Sequence, residues 1–496
     1  MRIRTLHTVV AAIALTAAQP IAAECPFQPR FYRTAPGFTG ETPAMTAVAD
    51  VDGADGPDVI AVNRGSVPLA RVAVLLGRGD GTLADPVFYD VGASPTALVV
   101  AELDGVDGPD LAVSNEMSGD VSVLLNQGDG TFAAQVRYAV GGSPSFLAAV
   151  DLDAGARPDL VVSNETTNDL SVLYNNGDGT FLPEVRRPAG MAPSAVVAAD
   201  FDRGNGPDVA VANRLSGDVS VLLNRGDGTL ADPVQHPTAA TAARLVALDL
   251  DGADGPDLVV LHATPTNQLV QLINDGAAGF SSVPLPLAAT GLEWLAAADF
   301  DGVNGPDLAV QTDPTSFMGR VYVFLNQGTG SLAPPVSYPG GWQLQGAGPT
   351  VIAAEIDGNA GIDLVATGSG ITNGGLFVLP GRGDGTFTSY QHYDALDIPA
   401  GLHAADIDGV DGADLVWVNL FDDRLTTFLS DGGQARPGRV RHDGGAGAVT
   451  VRSATRRALV PSGRRSEPSA SPKSTSAPAR TASRAIFDAV HAVPEV

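Results

Sequence analysis

Eight short loops in this chain each crowd three or four carboxylates into nine residues, and that crowding is the feature of the sequence with the clearest chemistry. The first reads D-V-D-G-A-D-G-P-D, placing Asp50, Asp52, Asp55 and Asp58 at loop positions one, three, six and nine. The same positions return as Glu102, Asp104, Asp107 and Asp110, as Asp200, Asp202 and Asp208, and as Asp249, Asp251, Asp254 and Asp257. They return again as Asp299, Asp301 and Asp307, and as Asp406, Asp408, Asp411 and Asp414. Two more copies hold Asp151, Asp153 and Asp159, and Glu355, Asp357 and Asp363. Like charges so close together repel unless a cation lies among them. Carboxylate oxygens on a glycine-containing turn suit Ca2+, and no His or Cys joins them to favour zinc or iron. The competing reading is a metal-free turn in which each Asp accepts hydrogen bonds from its own backbone. A metal site repeated in every unit is a structural staple rather than one catalytic centre, and chelation would then lower stability.

The loops must be positioned by repeated elements. Their first acids fall at Asp50, Glu102, Asp151, Asp200, Asp249, Asp299, Glu355 and Asp406, at intervals of 49 to 56 residues. About two dozen residues after each comes a second signal, as in LLGRGDGTL, LLNQGDGTF and LLNRGDGTL, whose Gly-Asp-Gly steps read as hairpin turns. Short β-rich runs such as VIAV and VSVLL lie between, without helical periodicity. Each unit thus supplies four antiparallel strands, too few to bury a core alone, and radial repetition in an all-β propeller is the expected fold. Eight units predict eight blades, with seven as the alternative. The segment Phe31 to Pro43 resembles the unit-ending strand at Val136, so an N-terminal strand is expected to close the last blade; the segment starting at Arg439 competes for that role.

The D-x-D-G-x-x-G-x-D-L core with its following G-D-G-T-F turn resembles the FG-GAP, or VCBS, repeat family, whose relatives include the propeller of integrin α subunits. The resemblance covers roughly Pro29 to Gly433 and implies calcium held by the first, second and last carboxylates of each loop. The family places its third acid at loop position five, whereas Asp55, Asp107, Asp254 and Asp411 stand at position six. The third unit, with Ala154, Ala156 and Arg157, is expected to bind metal weakly or not at all.

Of 496 residues, 56 are acidic and 29 basic, a net charge of -27 that disfavours nucleic acid and anionic membranes as partners. With 44% hydrophobic residues the chain has ample material for a core. Arg2 and Arg4 before an apolar run, then Ala22 and Ala23, read as a cleaved secretory signal over residues 1–23 and export from the cytoplasm. Cys25, the single cysteine, permits no internal disulfide and leaves a lipid-anchored N-terminus as a weaker reading. The propeller spans 24–433. From 434 to 496 the composition turns basic and rich in Ser, Pro, Ala and Arg, as in a disordered tail.

No nucleophile elbow, phosphate loop or metal-binding His cluster is present. Tyr390, His392, Tyr393 and His403 form the nearest approach to an acid–base set, though packing roles explain them as well. The Arg-Gly-Asp steps at Arg78, Arg225 and Arg382 arise from a variable turn position, and Asn164-Glu165-Thr166 spells a glycosylation sequon. Longer connections at 312–320, 340–349 and 368–375 mark the face opposite the acids, where Trp342, Gln343 and Gln345 are a candidate ligand platform. The leading expectation is a monomeric, secreted, calcium-binding propeller without catalytic function that adheres to a protein or glycan. An extracellular polysaccharide lyase and an inert surface-display protein are the alternatives.

Overall fold

The apolar runs of the repeat become strands because each packs between neighbours on both faces. D-V-I-A-V-N, from Asp58 to Asn63, is buried at all six positions, and the second strands of the other seven blades show the same pattern. Alternation then divides the side chains between two seams. Ile60 and Val62 pack with Leu111 and Val113 of the next blade, while Val59 and Ala61 pack with Val416 and Val418 of the last. Eight such clusters, one per seam, make up the core, so it is a ring of interfaces rather than one central mass.

The computed structural model describes residues 27–33, 43–64, 70–155, 157–239, 241–263, 266–312, 319–341, 351–359, 361–368, 375–394, 399–410, 412–419 and 424–430. Its strands, β1 to β32 in chain order, form eight four-stranded antiparallel sheets. Blade 1 comprises β2 (Pro43–Ala49), β3 (Asp58–Asn63), β4 (Arg71–Leu75) and β5 (Val87–Asp90). Blades 2 to 7 follow at 95–139, 144–188, 193–237, 242–285, 292–341 and 351–394. Blade 8 takes β30 (Pro399–Ala405), β31 (Asp414–Asn419) and β32 (Arg424–Ser430). First strands of successive blades touch round the whole ring, from blade 1 through blade 8 and back. They are therefore the innermost strands.

The chain is an eight-bladed propeller, not a seven-bladed one. Its last blade is completed by β1 (Phe27–Arg33), which pairs with β32 from Phe27↔Ser430 to Arg33↔Arg424. The closing strand begins four residues before the segment expected from the sequence; Phe31 to Arg33 are common to both, and 34–42 lie outside the described residues. Outer strands elsewhere are four to six residues long, and Pro188 and Pro237 end two of them. Short, proline-ended edges discourage pairing with other chains.

Candidate metal centres

Each acidic loop has the form acid–apolar–acid, and the apolar residue explains why the acids point outward. Val51, Leu103, Leu152, Phe201, Leu250, Phe300, Ile356 and Ile407 are all buried beneath their loops. Positions one and three are thereby turned toward solvent. Asp50 Oδ1 accepts from Gly53 N at 2.7 Å and Asp52 Oδ1 from Ala54 N at 2.8 Å. The same pair of turn bonds recurs at Asp249 and Asp251, at Asp299 and Asp301, and at Glu102 and Asp104.

These turns bring positions one, three and nine together. Asp50, Asp52 and Asp58 each offer an oxygen within 4.8 Å of the others, as do Glu102, Asp104 and Asp110, then Asp200, Asp202 and Asp208, and Asp249, Asp251 and Asp257. Three further groups of this size occur among the described residues, in addition to Asp151, Asp153 and Asp159. Unit three therefore keeps its three acids together despite Ala154 and Arg157. Asp151 Oδ1 and Asp202 Oδ1 are buried without a hydrogen-bond partner, the condition a bound cation would relieve. Position six stands apart from the named groups. Asp55, Asp107, Asp254 and Asn304 have φ of 53°, 64°, 54° and 66°, a left-handed backbone that Asp and Asn tolerate, which accounts for their residue type without a metal. Asp411 lies outside the described residues.

Position nine does more than complete the group. Asp58 is fully buried, and its two oxygens accept from Val51 N at 2.7 Å and from Gly77 N at 2.7 Å, tying the long loop to the turn between the third and fourth strands. Asp110, Asp159, Asp208, Asp257, Asp307 and Asp363 make the same two bonds in their blades. Asp414 makes them to Ile407 and Ser430. Both connections therefore share one face of the disc. Burial pushes Asp58, Asp110, Asp159, Asp257, Asp307 and Asp363 up to about 6 and Asp414 up to about 7. The neighbouring acids add to that rise and the two backbone N–H groups oppose it; Asp208 is raised for the same reasons.

A residue that sequence reasoning passed over is the Asn that opens many of the turns. Asn224 Nδ2 donates to Leu152 O of the preceding blade at 2.7 Å and to Pro207 O at 3.2 Å, while its Oδ1 accepts from Gly226 N. Asn126, Asn175 and Asn274 bridge their seams in the same way. A recurring N-x-G step marks the residue in the sequence but not its partner across the seam. Asn224→Ala leaves two buried carbonyls without a donor and is expected to cost about 2 kcal/mol, read as a lower denaturant midpoint with or without calcium.

Several other motifs are given structural explanations. In the Arg-Gly-Asp turns, Asp227 and Asp384 accept from the N–H and hydroxyl of the Thr two residues on, which holds both carboxyls below the usual range. Asn164 of the sequon is fully buried and donates to Asp169 and Ser171, so the folded chain does not present it for glycosylation. Tyr393 donates to Gln391 Oε1, His392 stacks on Phe377 at 4.7 Å, and His403 Nε2 lies 2.7 Å from Thr46 O on the seam between blades 8 and 1. Trp342, Gln343 and Gln345 lie outside the described residues.

No protein-family model and no curated protein sequence matches the chain. Solved structures do resemble it. The exotype rhamnogalacturonan lyase YesX is 14% identical, with 79% of this chain and 72% of that one covered at a TM-score of 0.52. Rhamnogalacturonan lyase YesW is 14% identical over 82% and 76% of the two chains, TM-score 0.49. The V. cholerae biofilm matrix protein Bap1 is 12% identical over 80% and 88%, TM-score 0.46. At 14% identity and a TM-score of 0.52, the likeness to YesX bears on the fold and nothing finer. No described helix is long and apolar enough to cross a membrane.

Proposed function

We propose that this chain is a secreted, calcium-stapled propeller of the FG-GAP/VCBS type that serves as a binding module for a protein or glycan. The observation that carries the calcium half is the convergence of three carboxylates within 4.8 Å, repeated on one face in blade after blade. The hard oxygen donors and the buried, unpartnered oxygens of Asp151 and Asp202 fit that cation. Supporting the binding half, the connections opposite the acids differ in length from blade to blade, four to seven residues between second and third strands and four to nine between blades, while every acidic loop spans the same eight residues. The signal-like N-terminus supports export.

Calorimetric titration of the mature chain with calcium, paired with glycan-array screening, tests the reading. Several equivalents bound, together with calcium-dependent capture of a saccharide or protein, is the expected result. No stoichiometric binding would reduce the loops to self-bonded turns, and release of unsaturated uronates from an acidic polysaccharide would replace the binding module with a lyase.

A further inference from the structure

Position seven of the acidic loops is glycine in seven blades, at φ between 84° and 147°. In the third blade it is Arg157. The side chain reaches back to the loop of blade 2. A Cβ placed on Gly105 would fall 2.0 Å from Arg157 Nη2, 2.5 Å from Cζ and 2.6 Å from Nε, so the guanidinium rests flat against that glycine. Gly105 sits at position four, directly after Asp104, and its N–H donates to Glu102 Oε1 at 2.6 Å. A side chain other than hydrogen at Gly105 would exclude the arginine.

The placement is specific in two respects. Arg157 Nε is buried without a hydrogen-bond partner among the described residues. The other arginine added to these loops behaves differently: Arg203, at position four of the fourth loop, points forward and lies 4.0 Å from Asp254 Oδ1, a position-six acid outside the three-acid groups. Both loops carry a complete three-acid set, and Arg157 differs from Arg203 in lying against the glycine that directly follows a position-three acid of that set.

We propose that Arg157 of blade 3 is the built-in cation of the acidic loop of blade 2, making Glu102, Asp104 and Asp110 the ring's weakest divalent site although their acid set is complete. The inference rests on the calcium reading for its metal consequence and on packing alone for the arginine's role. A fixed positive charge beside a divalent site is expected to weaken binding about tenfold. Arg157 belongs to unit three by number and to unit two by contact, a placement that sequence spacing does not reveal.

The test compares the full mature chain with Arg157→Gln, which removes the charge but keeps the length, and Arg157→Lys, which keeps the charge. In calcium calorimetry, Arg157→Gln should gain one equivalent or tighten the weakest class about tenfold, while Arg157→Lys follows the parent. Superimposable isotherms for all three, with calcium bound, overturn the proposal and leave the calcium reading intact. If no variant binds calcium, that reading fails by itself, and melting in EGTA then decides the arginine's role. There, Arg157→Gln should melt lower than Arg157→Lys, and Glu102→Gln should offset the loss. Equal melting in EGTA would show that Arg157 is not the loop's counter-ion.

Discussion

In EGTA, the melting temperature is expected to fall as the pH is raised from about 5 to about 8, and in excess calcium the same change should leave it level or raise it. The cause is the ring of buried position-nine aspartates. Seven of them are displaced from 3.8 to about 6 or 7, first by burial and then by the acids beside them. Between those two values the folded chain holds protons that the unfolded chain has already released. The stabilisation is complete below 3.8 and disappears as the pH rises through the folded value. For the six carboxyls raised to about 6, that displacement corresponds to at most about 3 kcal/mol each. Even a fraction of that at each site, summed round the ring, would lower the metal-free melting temperature by on the order of 10 °C. Calcium reverses the slope because it binds the ionised form, so the gap between the calcium and EGTA curves should widen with pH. Parallel curves would mean that these carboxyls and the cation are not linked.

The fold was legible because repetition multiplies a weak signal. One D-x-D-G loop says little, but eight at intervals of 49 to 56 residues, each followed by a β-rich run and many by a G-D-G turn, leave few architectures available. Blade count followed from counting, and the closing strand from likeness to a unit-ending strand, although its start was misplaced because Phe27 to Arg30 lack that pattern. The site was less legible. Residue type marks an acid but not its role, and one aspartate can serve as ligand, turn former or clamp. Asp55 and Asp58 look alike in sequence; one adopts a left-handed backbone at the surface, and the other is buried across two backbone N–H groups. The Asn bridges were invisible for a related reason, since Asn126 and Val51 are 75 residues apart and meet only when blades stack. The placement of Arg157 is hidden for the same reason, since it packs against Gly105 of the neighbouring blade's loop.

The division of labour within a loop can be tested in blade 4. Asp208 is fully buried, with Phe201 N at 2.8 Å and Asn224 N at 2.7 Å, both on residues that are themselves buried. Asp208→Ala strands two donors away from water and frees Asn224, whose side chain bridges to blade 3. The expected cost is about 3–5 kcal/mol, seen in EGTA as well as in calcium, because the clamp acts without metal. Asp200, at position one of the same loop, is exposed and accepts one bond from Gly204 N at 3.0 Å. Asp200→Ala should therefore change EGTA stability by less than about 1 kcal/mol while removing most of that blade's calcium-dependent gain. Asp208→Asn sharpens the comparison. It preserves shape and removes the buried charge, but its amide NH2 must face one of two N–H donors, so it should fall between the parent and Asp208→Ala. Measured by denaturant unfolding, equal losses for Asp200→Ala and Asp208→Ala in EGTA would refute the separation of fold clamp from metal ligand. A loss at Asp208 alone would establish that this loop is built around its buried carboxylate, with the outer acids added for the cation.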